Sequence, residues 1–312
     1  MLATHNGAAT LPLLFEGYLL QKCDRIDWRL IVVDNASDDS TSDVIKAFKN
    51  RLPIIAFTCP DPGKNRALNF ALNRSKDRRD FYVFTDDDAV PRANFLQAWH
   101  SALVVTGGEN RIFGGAVHPK FLSEPPSHIW EYRGYFRELY AENYGNEKFS
   151  AADIYGPNMC VPSRVIEEGF RFDERIGPNS SDDWYPMGSE TEFCTRVARQ
   201  YSLRPVFVAD AAVDHVIRER QMKLNFIRSR AFRHGRGSAM RLHIGRGWLA
   251  VLKEAYRLCR RKDVPNQSSA DALWNEEWRR GFVSEAMHMH SRIFRRKGPE
   301  VADKRELHRW RC

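Results

Sequence analysis

Three carboxylates in a row, Asp86-Asp87-Asp88, end the run Phe81-Tyr82-Val83-Phe84-Thr85, and Pro91 marks the exit. Aromatic and β-branched residues with a polar stop read as a buried strand. Adjacent carboxylates at a strand end repel one another, so positive charge is expected beside them. A hard divalent cation, Mg²⁺ or Mn²⁺, is the natural counter-charge, because it takes oxygen ligands and bridges to a substrate's phosphates. In open α/β sheets ligands bind beyond the carboxyl ends of strands, where this cluster falls. The competing reading is a solvated acidic turn.

The segments around it alternate. Only Met1, Leu2 and Ala3 precede the polar turn at Thr4, and Leu11 to Leu20 then has helical apolar spacing. Leu30 to Val33 reads as a buried strand that stops at Asp34, and Ser and Asp residues at 37–40 can cap the next helix. Ile54 to Phe57 is a third strand, and Lys64 to Leu72 a helix leading back to Phe81. This order is that of a parallel, Rossmann-like sheet with helices on its faces. Asn94 to Val105 reads as a helix, Ile112 to Val117 as a strand, Gly188 to Phe193 as a helix start, and Arg204 to Ala209 as a strand. The segment from Pro119 to Ala151 has no clear pattern.

Composition narrows the class. The chain has 312 residues, 43% hydrophobic and 28% charged, enough for a buried core. Six scattered cysteines without a C-x-x-C pair argue against a zinc site or disulfide framework, and fit a reducing cytoplasm. No apolar run is long enough to cross a bilayer, and no signal peptide pattern opens the chain. The net charge of +8 is uneven: residues 218–312 hold 24 Lys/Arg against 10 Asp/Glu, while residues 1–217 hold 24 against 30. We therefore expect a catalytic part over 1–217 and a basic helical extension over 218–312.

Several short motifs, in order, resemble those of the family-2 glycosyltransferases. They are ATHNG (3–7), VVDNASDDST (32–41), GKNRALN (63–69), TDDDAVP (85–91), GPNMCVP (156–162), GSETEF (188–193) and VDH (213–215). The resemblance covers roughly residues 2 to 240. It implies a GT-A fold, with a nucleotide-binding part over about 1–118 and an acceptor part over about 119–217. It also implies an inverting transfer from a nucleotide-diphosphate sugar. Thr4, Asp34, Asp86 and Asp87 would then lie at the nucleotide, Gly156 and Asn158 at the sugar and acceptor pocket, and His215 near the metal and diphosphate. Relatives have more apolar residues before the equivalent of Thr4. The central strand is thus expected either to start upstream or to be clipped, leaving its neighbours partly unpaired.

Physical roles follow for the same positions. Asp86 and Asp88 can offer a metal ligand and a hydrogen bond to a ribose, with Asp88 the first choice for the metal. Asp34 can accept from a base N–H. Lys64 and Arg66, at a helix start, suit the diphosphate, although Arg66 reads equally as a solvated basic face. Glu190 is the candidate base for the acceptor hydroxyl, with Glu192 the substitute; relatives often carry aspartate at the position of Glu190. A carboxylate at a helix start is also favoured by the dipole alone. His215 is a candidate ligand or a packed surface residue, and Trp184 is expected near the acceptor.

In the extension, Trp248, Leu249, Leu252, Ala255, Tyr256 and Cys259 form one stripe near Lys253, Arg257, Arg260, Arg261 and Lys262. Trp274, Trp278, Phe282, Met289 and Ile293 form a second. Two packed amphipathic helices are the first expectation, and a basic surface on anionic lipid the second. Nucleic-acid binding has no motif behind it. The expected function is a metal-assisted glycosyltransferase acting on a saccharide or lipid-linked saccharide, located in the cytoplasm or at the inner membrane face. The rivals are a metal-dependent nucleotidyltransferase and a non-catalytic binding protein with a membrane-contacting tail.

Overall fold

The computed structural model describes residues 1–23, 26–75, 80–260 and 268–295, with side chains to residue 291. Arg261, Lys262, Cys312 and the side chain of Ile293 lie outside the described residues. The first half alternates as the sequence suggests: β1 (Leu2–Thr4), α1 (Leu11–Leu19), β2 (Leu30–Asn35), α2 (Thr41–Phe48), β3 (Ile54–Cys59), α3 (Lys64–Arg74) and β4 (Phe81–Phe84). β5 (Ala89–Pro91), α4 (Phe95–Thr106), β6 (Arg111–Phe121), α5 (Phe136–Tyr140), β7 (Met159–Pro162) and α6 (Ser163–Glu167) follow. The chain then forms α7 (Ser189–Tyr201), β8 (Arg204–Ile217), α8 (Leu224–Arg246), α9 (Trp248–Arg260) and α10 (Ser269–Arg295).

β1, β2 and β3 pair in parallel. The second group runs β4-β7-β6-β8-β5, with β6 and β8 parallel and the other pairs antiparallel. The two groups meet at β1. The Met1 amine donates to Val83 O at 2.7 Å, and Thr85 N–H donates to Met1 O at 3.0 Å. The short first strand thus reaches both neighbours, and the unpaired edge expected from its length does not form beside the cleft.

Helices cover both faces. Ile31 and Val33 pack with Ala67, Leu68, Phe193 and Val197, on the α3 and α7 side. Leu30 and Val32 face the other way, toward Leu14, Phe15, Ile45 and Phe95 of α1, α2 and α4. This alternation on β2 decides which of its last two residues can reach the site. β4 is less buried than its composition implies: Phe84 is covered, while Phe81, Tyr82 and Val83 are half-buried.

α8 and α10 cross closely through glycines. A Cβ on Gly235 would fall 2.8 Å from the Trp278 carbonyl carbon, and one on Gly281 would fall 2.8 Å from that of Phe232. Trp274, Phe282 and Met289 of α10 are buried, as their stripe predicts, and each such side chain contributes about 1.5–3 kcal/mol. The α9 stripe needs correction. Its buried residues are Val251, Ala255 and Leu258, whereas Leu249 and Tyr256 are 66% and 50% exposed. Ala255 of the expected stripe is covered and Trp248, Leu252 and Cys259 are half-buried, so the covered face centres on Val251, Ala255 and Leu258 and leaves Leu249 and Tyr256 exposed. No helix among the described residues is long and apolar enough to cross a membrane.

Candidate active site

A cleft of about 820 Å³ opens beyond the carboxyl ends of β1 and β4, walled by the start of α7 and by α8. All three aspartates line it. Lys64, the first residue of α3, reaches between two distant carboxylates: its Nζ lies 2.5 Å from Asp86 Oδ1 and 2.7 Å from Glu190 Oε1. The positive charge expected beside the aspartates is therefore supplied first by the chain itself. Lys64 is held by its backbone N–H, which donates to Pro178 O at 2.8 Å. Burial lowers the Lys64 pKa, but the two carboxylates outweigh it and the amine is held charged.

The neighbouring aspartates have different partners. Thr4 Oγ1 donates to Asp87 Oδ2 at 2.5 Å. Burial, reinforced by Asp88, pushes the Asp87 carboxyl up to about 7. Asp86 is likewise pushed up, by burial more than Lys64 offsets. Burial raises the Asp88 carboxyl as well, yet the charge and hydrogen bond of His215 with the charge of Arg218 hold it below the usual range.

The pairing of β5 with β8 makes this last contact, since Ala89 lies opposite His215 and Val216 N–H donates to Asp88 O. His215 is thus inside a strand and 6% exposed, not a packed surface residue. Its Nδ1 lies 2.6 Å from Tyr140 O and its Nε2 3.4 Å from Asp88 Oδ1. A carbonyl can only accept, so Nδ1 carries a proton and Nε2 faces Asp88. Burial lowers the His215 pKa, and the Asp88 charge more than reverses that.

Among the described residues no group of three or more His, Cys, Asp or Glu side chains is arranged to hold a metal ion. Asp88 and His215 nevertheless provide an oxygen and an imidazole nitrogen on one wall, with the ring fixed from behind by Tyr140. That fits a cation whose remaining ligands come from phosphates and water.

Glu190 sits in the first turn of α7, 17% exposed at the side chain, accepting from Lys64 and, at 2.8 Å, from Ser189 Oγ. Burial raises its pKa, but Lys64 overrides this and the group is held ionised. Gly156 makes room for it. A Cβ there would lie 2.7 Å from Glu190 Cδ and 2.9 Å from Cγ. Thr85 Oγ1 donates to Pro157 O at 2.9 Å, tying this turn to the end of β4.

Five expected site residues stand elsewhere. Asp34 is not among the residues lining the cleft. It is 8% exposed with Oδ1 lacking a hydrogen-bond partner, on the β2 face turned from α3. Asn35 lines the cleft in its place, its Oδ1 accepting from Gly63 N–H and its Nδ2 donating to Cys59 O and Asp61 O. Arg66 turns outward to Glu174. Asn158 is structural: its Nδ2 donates to Ala116 O and Ala211 O, bridging the β6–β8 register shift at Gly115/Ala116. Glu192 is two residues from Glu190, so the helix turns it away, and Arg196 pairs with both its oxygens at 2.5 and 3.0 Å. Trp184, 52% exposed, lines a separate groove of about 620 Å³ between α8 and α10, edge-on to Phe232.

Other residues enter unannounced. Arg137, Glu138 and Leu139, from the unpatterned segment, line the cleft, as do Arg218 and Arg220. So do Arg230, Arg233 and Arg241 of α8. Residues 1–217 therefore hold only part of the cleft. The α8 arginines recur at helical spacing, a signal present in the sequence within the stretch expected as a basic helical extension.

Residues 1–151 match the family model of Glycosyl transferase family 2. Curated protein sequences give no significant match. Among solved structures, the chain is similar to the mannosyltransferase PcManGT from Pyrobaculum calidifontis, in complex with GDP-Man and Mn2+. Identity there is 15%, with a TM-score of 0.55, covering 96% of this chain and 74% of that one. It is similar to S. aureus TarS 1-349 in complex with UDP-GlcNAc at 14% identity and TM-score 0.53, covering 92% and 90%. In a longer S. aureus TarS chain the likeness covers 83% of this chain but 42% of that one, at 14% identity and TM-score 0.50. This chain shares the α/β fold of these structures, with a C-terminal helical region.

Proposed function

We propose that this chain, a glycosyl transferase family 2 protein over residues 1–151, moves a sugar from a nucleotide-diphosphate sugar to a saccharide or lipid-linked saccharide, with inversion. The observation that carries the reading is the meeting of Asp86–Asp88, Lys64, His215 and Glu190, from four segments, in one cleft. Glu190 is ionised and is the α7 carboxylate that faces the cleft, which suits a base for direct displacement. The acceptor oxygen attacks the anomeric carbon, its proton passes to Glu190, and the bond to the diphosphate oxygen breaks, releasing a nucleoside diphosphate. Lys64 stands beside Glu190 and Asp86, where it orients the base.

Asp88 and His215 would hold Mn²⁺ or Mg²⁺, which as a Lewis acid neutralises charge on a departing diphosphate. Asp88 is kept ionised for that role. The ring of His215 is fixed by Tyr140 so that Nε2 stays aimed at the same point. Asn35, Thr4 and the turn at Gly63 form the wall left for the nucleoside.

The test uses Asp88→Ala and isothermal titration with UDP and GDP, with and without Mn²⁺. Mn²⁺-dependent nucleotide binding in the parent and its loss in the variant are expected. Equal Mn²⁺-dependent affinity in both would remove Asp88 from the site. Product analysis separates the rivals. A nucleotidyltransferase releases pyrophosphate from a nucleoside triphosphate, and a binding protein retains the sugar nucleotide unchanged.

A further inference from the structure

The arginines of α8 divide by face. Arg230, Arg233 and Arg241 line the cleft. Arg236, on another face, pairs with Glu285 at 2.6 Å and with Asp182 at 3.5 Å. Carboxylates likewise meet Arg137, Arg196 and Arg280. The three cleft arginines have none among the described residues. Arg230 Nε donates to Glu138 O at 3.0 Å, and Arg233 to Ser229 O at 3.1 Å and Ser229 Oγ at 3.2 Å. Arg241 donates to Met187 O at 2.9 Å and Ser238 Oγ at 3.1 Å. Each guanidinium has five N–H donors, so most stay uncommitted in half-buried side chains.

Their hydrogen-bond partners are neutral oxygens, so none of the three has a carboxylate in direct contact. No carboxylate lining the cleft pairs with them among the described residues: Glu190 and Asp86, whose charges reach Arg230, are held by Lys64, and Asp88 faces His215. The cluster is held in place: Met187 N–H donates to Arg233 O at 3.1 Å, and Tyr185 packs 4.7 Å from the Arg233 guanidinium. Met187 and Tyr185 lead directly into Gly188 and Glu190, so the cluster lies on the Glu190 side of the cleft. Arg218 and Arg220 lie by Asp87 and Asp88 instead, where a diphosphate would sit.

We infer that Arg230, Arg233 and Arg241 form a binding site for a phosphate group carried by the acceptor, as a monoester or diester. Forked guanidinium donors match phosphate oxygens in pairs, and a neutral sugar hydroxyl has no charge to offset theirs. The inference rests on the glycosyltransferase reading and narrows its acceptor to a phosphorylated one.

The test is calorimetric titration of the full chain with glucose 6-phosphate, geranyl phosphate and glucose, before and after saturation with UDP or GDP and Mn²⁺. Both phosphates or either one should bind, and glucose should not; the pair separates a saccharide phosphate from a lipid phosphate. Arg230→Gln, Arg233→Gln and Arg241→Gln should each weaken phosphate binding about tenfold, with nucleotide affinity changed less than about threefold. Should Arg241→Gln fail to fold, Arg233→Gln gives the same reading. Phosphates binding no better than glucose, variants binding like the parent, or variants losing nucleotide instead would each overturn the inference. Phosphate binding without nucleotide binding would sink the transferase reading and leave this site standing.

Discussion

Gly156→Ala tests Glu190 without touching its charge. An added Cβ would lie 2.7 Å from Glu190 Cδ, 2.9 Å from Cγ, and closer still to Oε1. Ordinary contact begins near 3.4 Å, so the carboxylate must retreat by about 1 Å. What yields is the end of a flexible side chain, so stability should fall only by about 1–2 kcal/mol, within the usual cost of overpacking. Lys64 and Ser189 hold the carboxylate at 2.7 and 2.8 Å, and the retreat breaks that positioning. Displacing a reacting group by this much lowers rates about 100-fold. The assay is release of nucleoside diphosphate from the sugar nucleotide, water standing in for the acceptor, beside a thermal melt. A well-folded Gly156→Ala protein with parental turnover would remove Glu190 from the chemistry.

Three further outcomes follow from the same geometry. Glu190→Gln should lose roughly 10²–10⁴ in turnover, whereas Glu192→Gln, which breaks the pair with Arg196, should lower the melting temperature and spare turnover; the reverse pattern would exchange their roles. Asp87 has a folded-state pKa raised by burial to about 7, so its stabilising contribution is full below the unfolded value and is lost as pH rises toward 7. Urea unfolding should therefore show Asp87→Asn gaining on the parent between pH 4.5 and 7.5, by on the order of 2 kcal/mol after allowance for partial exposure, and a constant difference would refute the buried charge. If α9 rests on anionic lipid, its exposed Leu249 and Tyr256, set among Lys253, Arg257 and Arg260, carry the contact; Leu249→Ser with Tyr256→Ser should then abolish salt-sensitive co-sedimentation with phosphatidylglycerol vesicles.

What could be read from the sequence depended on whether one period fixed a side chain's surroundings. The aspartates were legible because a short apolar run fixes a strand end, and Glu190 because it opens a helix. Asp34 is the carboxylate that the sequence singles out, and the alternation of β2 against α3 sends its neighbour Asn35 to the cleft instead. Glu192 failed for the helical equivalent of that reason, two residues being more than half a turn. Trp184 and Asn158 depended on packing between distant segments: α10 against α8 for the first, and a register shift between β6 and β8 for the second.

The arginines of α8 show the limit most clearly. Their spacing at 230, 233 and 241 is as regular as any stripe in the chain, yet the same letters describe a solvated face or a binding wall. What separates the two is the presence of carboxylates opposite. Arg236 has Glu285, brought to it by α10, while Arg230 and Arg233 line a cleft in which Asp86 and Glu190 are committed to Lys64 and Asp88 to His215. Charge on a helix thus acquires function only through the element packed against it.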